Sequence, residues 1–107
     1  MNKFELFSMI FYALDHQWKI DKNDVIGDFL SDANPFLFSD IGSADPCIYT
    51  DFCNIVSENI TINNSYDIAL EYIAHLNSVE IFDAFSNISK KEWNEALEKY
   101  MSQSHKK

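Results

Sequence analysis

Residues 4–18, FELFSMIFYALDHQW, contain the strongest structural pattern in the chain. Apolar side chains recur there at steps of three and four residues, which places them on one face of an α-helix. The members of this face are Phe4, Phe7, Ile10, Phe11, Leu14 and Trp18. The opposite face carries Glu5, Ser8, Tyr12, Asp15 and Lys19. We therefore expect a first helix that buries its apolar face in a core and exposes the other face to solvent.

Downstream of this helix, start and stop signals predict two more helices. One is expected from Asp21 or Asn23 to Ala33, because the Asn-Pro pair that follows disfavours a continuing helix. Another is expected from Pro46 to about Glu58, because proline suits the first helical position and the preceding aspartate can cap it. The segment between these helices is expected to form a structured loop or a single helical turn.

The second half of the chain begins with a short ambiguous segment. In residues 59–64, NITINN, Ile60 and Ile62 alternate as in a strand, but a lone strand would have no partner. We expect an extended connection whose two isoleucines lie in the core, with a short strand as the alternative. A fourth helix is predicted from Ser65 to Leu76.

The fifth helix is predicted to be short. Asn77 or Ser78 is expected to cap its start, because either side chain can accept a hydrogen bond from a backbone amide of the first turn. Its inward face is expected to carry Val79, Phe82 and Phe85.

The last helix has the clearest local start signal. Ser89 and Glu92 have the spacing of a capping box, in which each side chain accepts a hydrogen bond from the other residue's backbone N–H. Ile88 and Trp93 occupy the positions of a hydrophobic staple around that box. The sequence therefore predicts a helix that starts at this point.

These elements together predict an all-α fold, a compact bundle of about five to six short helices. The chain of 107 residues is long enough for one core, and its apolar fraction of 47% is typical of a globular protein. We expect a single helical domain over residues 1–102. Residues 103–107 are expected to form a flexible C-terminal tail.

The net charge of −9 is distributed unevenly along the chain. Residues 1–85 contain fourteen acidic residues and three lysines, whereas residues 86–107 contain three acidic residues and five lysines. The chain contains no arginine, the side chain that best recognises phosphates and guanine edges. These features argue against direct binding of nucleic acid and favour a basic protein partner.

The sequence lacks the usual motifs for metal binding, catalysis and membrane insertion. Asp21 and Asn23 match two positions of a calcium loop, but Val25 at the next ligand position cannot bind the ion. Cys47 and Cys53, six residues apart in a predicted helix, are poorly placed for a disulfide and suit a reducing compartment. We expect a monomeric cytoplasmic protein with no metal, no cofactor, no catalytic residues and no membrane contact.

Two features are candidates for a partner-binding site, and the first is a row of acidic residues. On the predicted second helix, four aspartates fall within an arc of about 80°. They are Asp21, Asp24, Asp28 and Asp32. Because like charges at this spacing destabilise a helix, we expect the row to serve a partner that neutralises it. A merely solvated face is the alternative.

The second candidate is the segment at residues 34–46, NPFLFSDIGSADP, where aromatic and acidic residues are interleaved. Aromatic anchors surrounded by charged residues are typical of hot spots in protein interfaces. The predicted contacts are Phe36, Phe38, Asp40 and Asp45, together with Tyr49 on the following helix. The alternative is that the segment folds back and fills the core.

In these respects the sequence resembles the immunity proteins of bacterial contact-dependent inhibition and related toxin systems. The resemblance lies in the stretch Asn23–Ser89, which contains no lysine or arginine, in the aspartate row and in the aromatic–acidic loop. It is a resemblance of type, since immunity proteins share no common motif or fold, and no functional residue is carried over by position. It implies a protein that binds and neutralises a basic toxin domain, often a nuclease.

Two other classes of protein share some of these properties. An acidic DNA mimic or antirestriction-type inhibitor would be equally small and acidic, but it needs carboxylates spaced like phosphates, and here apolar residues interrupt them. A non-catalytic adaptor subunit would expose a large apolar stripe and would self-associate.

Overall fold

The computed structural model describes residues 1–34 and 46–102, and within these ranges the chain forms six α-helices and no strand. The helices are α1 (Lys3–Asp21), α2 (Asp24–Ala33), α3 (Pro46–Ile55), α4 (Ser65–His75), α5 (Val79–Ser86) and α6 (Lys90–Met101). None of these six is both long and apolar enough to cross a lipid bilayer. The prediction of an all-α fold with about five to six short helices is confirmed.

Helix α1 lies at the centre of the packing, because each of the other five helices contacts it. Its predicted apolar face is buried, and Ile10 and Leu14 have almost no solvent exposure. Burial also extends around the helix, since every residue from Leu6 to Ile10 is buried. The prediction that Ser8 faces solvent is therefore wrong. Helix α6 covers that side of α1 and places Tyr100 beside Ser8.

Edge-to-face aromatic contacts join α1 to α3 and α3 to α4. The ring centroid of Phe7 lies 5.2 Å from Tyr49 and 5.0 Å from Phe52. The ring of Phe52 in turn lies 4.8 Å from Tyr72, which is also buried. Each such pair contributes about 0.5–1.5 kcal/mol beyond the burial of its surface. The three helices are thus held together through one row of rings.

A second aromatic cluster, supported by two hydrogen bonds, joins α4 to the α5–α6 junction. The ring of Tyr66 stacks on Phe85 at 5.6 Å, and its hydroxyl donates to the backbone carbonyl of Ile88 at 2.6 Å. The Nε1 of Trp93 donates to Ser65 Oγ at 2.9 Å inside the core. Buried polar groups are costly when unpaired, so these hydrogen bonds fix how α6 sits against α4.

Side-chain caps begin α2, α5 and α6 where the sequence predicts them. Ser89 Oγ accepts from the backbone N–H of Glu92, and the Glu92 carboxylate accepts from that of Ser89, so the predicted capping box is present. Of the two candidates for the cap of α5, Ser78 is the one that caps it. Asn23 caps α2, accepting hydrogen bonds from two backbone amides of the first turn.

The connection between α3 and α4 departs from the prediction in two respects. Helix α3 ends at Ile55, not at Glu58. Residues 59–61 have no regular secondary structure, and the backbone N–H of Ile60 donates to the carbonyl of Glu58 at 2.9 Å; residues 62–64 form a turn. Ile60 is buried whereas Ile62 is 49% exposed. The expectation that both isoleucines lie in the core is therefore wrong for Ile62, because this residue belongs to the turn that leads into α4.

Helix α5 buries a different face from the predicted one. Phe85 is fully buried as expected, but Val79 is 70% exposed and Phe82 is 37% exposed. The residues that join Phe85 in the core are Ile81 and Ala84. With apolar residues on both sides of so short a helix, periodicity could not select the face, and contacts with α1, α2 and α4 decide it.

A close approach near Gly27 positions α2 against α1. A Cβ atom at this residue would lie only 2.9 Å from Trp18 Nε1, so only glycine fits without a shift of the indole. The Nζ of Lys22 lies 4.0 Å from the centroid of the same ring. Lys22 itself adopts a left-handed conformation with φ 58° and ends α1. The chain therefore turns sharply and returns along α1.

Candidate functional site

The aspartates predicted to form one row lie on two helices. Helix α1 ends at Asp21, and the left-handed Lys22 turns the chain before α2 begins at Asp24. The prediction of four aspartates on the second helix is therefore wrong for Asp21. Asp24, Asp28 and Asp32 do follow one another along the exposed face of α2, opposite its buried residues. Left-handed backbone at a C-cap is usual for glycine, so a lysine there gave no signal of the break.

Asp21 instead borders a cleft of about 430 Å³ between the end of α1, the start of α2 and α5. We call it the acidic cleft, because three carboxylates line it beside three amides and apolar side chains. Its main lining residues are Asp21, Asn23, Ile26, Glu80, Asp83, Ala84 and Asn87, with Ile20 and Gln17 at the α1 side. Within the described parts of the chain, no lysine or histidine belongs to this lining.

Glu80 and Asp83 are residues of the cleft that the sequence does not single out. Their spacing of three residues places both on one side of α5. In a chain with 17 acidic residues, however, such pairs on one helix carry little information. Only the packing of α5 against α1 and α2 brings them to Asp21, and that packing depends on contacts distant in sequence.

The lysines nearest to the cleft in sequence have other partners. Lys19 forms an ion pair with Asp15 at 3.1 Å, and Lys22 lies over the ring of Trp18. Asp21 also occupies the last residue of α1, where the negative end of the helix dipole disfavours a carboxylate. The carboxylate of Asp21 is therefore unfavourably placed in the isolated protein and available to a positively charged ligand, whereas Glu80 lies in the first turn of α5, where the helix dipole stabilises it.

Exposed aliphatic side chains accompany these carboxylates. Ile20, which lines the cleft, and Val79, which precedes Glu80, are each 70% exposed. Val25, next to Asp24 at the start of α2, is also exposed. Covering such side chains with a partner is favourable at roughly 25 cal/mol per Å². The region thus combines uncompensated charge with apolar surface.

Tyr49, predicted as a partner contact, belongs largely to the core. Its ring is half-buried and lies 6.0 Å from Phe4, 5.2 Å from Phe7 and 6.2 Å from Phe52. Burial, reinforced by a hydrogen bond with Cys53, raises the pKa of its phenol. A partner can therefore reach only part of this ring, and a direct contact remains a prediction.

The aromatic–acidic loop lies outside the residues that the structure describes. The predicted contacts Phe36, Phe38, Asp40 and Asp45 are all in residues 35–45. Their assignment to the partner-binding site remains a prediction from sequence.

Neither a metal site in the described residues nor a similarity to known proteins indicates a function. In residues 1–34 and 46–102, no three or more histidine, cysteine, aspartate or glutamate side chains are grouped so that they could hold a metal ion. The chain matches no known protein family, no curated protein and no solved structure.

Proposed function

We propose that this protein is an immunity protein that binds and neutralises a basic bacterial toxin domain, with a nuclease as the expected type. The observation that carries the proposal is the acidic cleft, where Asp21, Glu80 and Asp83 meet without a described basic residue in the lining. A nuclease must hold a polyanion and therefore presents a basic surface. Such a surface is complementary to the cleft in charge.

The proposed mechanism has a long-range and a short-range part. The carboxylates of the cleft and of the α2 row attract a basic partner, which raises the association rate toward about 10⁸ M⁻¹s⁻¹ at low salt. A lysine or arginine of the toxin then enters the cleft. Ile20 and Val79 lose water against the partner and slow its dissociation. The bound inhibitor covers the basic surface on which the toxin holds its substrate.

The exposed aliphatic residues support this reading over a DNA mimic. A mimic reproduces a row of phosphates, and nothing in a phosphate row corresponds to Ile20, Val25 or Val79. A protein surface can match both the charges and the apolar side chains, because protein interfaces combine the two. We therefore favour a protein partner.

The test uses the C-terminal domain encoded by the open reading frame directly upstream of this gene, co-expressed with this protein in a bacterial host. Restored growth and a complex of the two purified proteins are the expected results. Replacing Asp21 and Asp83 together by asparagine is expected to weaken binding at least about tenfold at low salt. The matched control replaces Glu71 and Glu98, exposed acids on α4 and α6, by glutamine and is expected to leave affinity within about twofold.

Circular dichroism and thermal melting of both double variants show whether they remain folded. An upstream domain that is neither toxic nor bound by this protein contradicts the proposed function. If the cleft variant and the control weaken binding equally, the protein still acts as an acidic inhibitor, but the acidic cleft is not its binding site.

A further inference from the structure

A groove of about 500 Å³ lies between α1 and α6 and shares only Gln17 with the acidic cleft. The buried side chains of Met9, Ile88 and Trp93 form its apolar floor. Exposed residues of α6 form one rim, and Tyr12, which is 42% exposed, contributes to the other. The groove therefore presents apolar surface between two edges that can make polar contacts.

The rim on α6 has an ordered charge pattern. It consists of Glu92, Glu95, Ala96 and Lys99, which are exposed and fall within an arc of about 100° on the helix. Acidic residues occupy its N-terminal part, a lysine its C-terminal part, and the small Ala96 lies between them. Lys99 takes part in neither of the ion pairs found in the described residues, which are Lys19–Asp15 and Lys90–Asp67.

We propose that two copies of this chain associate through this groove, with their α6 helices antiparallel across a twofold axis between Glu95 and Ala96. Residues equidistant from that axis face each other, so Lys99 of each copy lies opposite Glu92 of the other. Two symmetric ion pairs form in this way. Ala96 near the axis allows the two helices to approach closely.

The charge pattern favours a second copy over other occupants. A basic segment would meet Lys99, whereas an acidic segment would meet Glu92 and Glu95. An antiparallel copy of the same rim pairs Lys99 with Glu92 at both ends at once, while the two Glu95 carboxylates beside the axis oppose association and weaken the dimer. It also covers the exposed part of Tyr12 and the groove floor. This inference does not rest on the proposed function, and it replaces the monomer expected from the sequence.

The size of the surface sets the expected strength of the dimer. The contact involves two turns of α6 and the adjacent edge of α1. It therefore buries less surface than a standard interface, which buries about 1,600 Å². The net charge of −9 on each copy also opposes association. We therefore expect a weak dimer that forms with increasing protein concentration.

Sedimentation equilibrium from about 10 µM to about 1 mM covers the range in which such a dimer dissociates. Ala96→Glu places a carboxylate near Glu95 of the other copy and is expected to weaken association at least about tenfold. Ala74→Glu is the matched control, because Ala74 is an exposed alanine on α4, away from the groove. Both variants are first checked for folding by circular dichroism.

A wild-type mass that rises toward the dimer, with the rise lost in Ala96→Glu and kept in Ala74→Glu, supports the proposal. A wild-type protein that stays monomeric at the highest concentration overturns it. Equal association of the two variants also overturns it. If the protein is monomeric and Ala96→Glu weakens its binding to the upstream toxin domain, the dimer proposal is overturned and the groove is a binding site for the toxin.

Discussion

Two serines of this protein are fully buried but differ in their hydrogen bonds. Ser65 Oγ accepts from Trp93 Nε1 at 2.9 Å and donates to the carbonyl of Ile62 at 3.0 Å. Ser8 Oγ lies near the phenol of Tyr100 but makes no hydrogen bond of good geometry to any described residue. The same substitution at the two positions therefore separates the effect of a hydrogen bond from that of a buried hydroxyl.

Ser65→Ala is expected to lower the free energy of unfolding by about 1–3 kcal/mol, because it leaves the indole N–H of Trp93 buried without its acceptor. Ser8→Ala is expected to change it by less than about 0.5 kcal/mol, because no well-formed hydrogen bond is lost. Urea unfolding followed by far-UV circular dichroism measures both. Equal losses would show that the Ser65–Trp93 hydrogen bond contributes nothing specific to stability.

On the scale of single elements, repulsion between aspartates on the exposed face of α2 is predicted to lower the free energy of unfolding. Asp28 and Asp32 are one turn apart and exposed, so they repel each other. Asp28→Asn is expected to raise the free energy of unfolding by about 0.2–0.5 kcal/mol at low salt, with a smaller gain at high salt. Asp24→Asn is the control, and its gain is expected to be smaller, because relief of the repulsion between Asp24 and Asp28 is opposed by the loss of a favourable interaction with the helix dipole. Asp24 lies in the first turn, where the helix dipole stabilises a carboxylate by about 0.3–1 kcal/mol.

Thermal and urea unfolding of these two single variants at two salt concentrations measure how each changes the free energy of unfolding. A loss of stability in Asp28→Asn would mean that the acidic face does not strain its helix, and it would remove one reason to assign that face to a partner.

Helix starts could be predicted from the sequence because local chemistry specifies them. The capping box of Ser89 and Glu92 and the caps at Asn23 and Ser78 need only a few neighbouring residues. The sequence predicts a second helix that begins at Asp21 or Asn23, but not that α1 itself extends to Asp21, because α1 ends at a left-handed Lys22, a conformation usual for glycine. Trp18, on which Lys22 packs, also lies close to Gly27 of α2, so the turn depends in part on a contact with the next helix.

The candidate site was predictable only in part, for the same reason. Asp21 stands out in the sequence, although its assignment to the second helix is wrong. Glu80 and Asp83 join it only because α5 turns Ile81 inward and leaves Val79 exposed. Because apolar residues lie on both faces of α5, the sequence pattern does not specify which face is buried.

On the scale of the whole molecule, buried phenols link stability to pH. Burial is the largest cause of a raised pKa at Tyr49, Tyr66, Tyr72 and Tyr100. In the unfolded chain a tyrosine ionises near its ordinary pKa of 10.0. The stability that these groups provide is therefore fully present below pH 10, and it falls as the pH rises further, because only the unfolded chain releases the protons.

Tyr72→Phe tests this linkage, because it keeps the ring against Phe52 and removes one ionisable group. Well above pH 10 the wild-type protein is expected to lose up to about 1.4 kcal/mol of stability per pH unit through Tyr72. The variant is expected to lose correspondingly less. Urea unfolding at pH 7 and at several values above pH 10 gives the two slopes. Equal slopes would mean that Tyr72 ionises in the folded protein at its ordinary pKa.

The position of α1 at the centre of all five other helices has a consequence for synthesis. Its apolar residues leave the ribosome before the segments that cover them, and α6, which packs over Ser8, begins only at Lys90. At about 5–20 residues per second, translation leaves these side chains uncovered for several seconds. The core around α1 therefore closes only after α6 has left the ribosome.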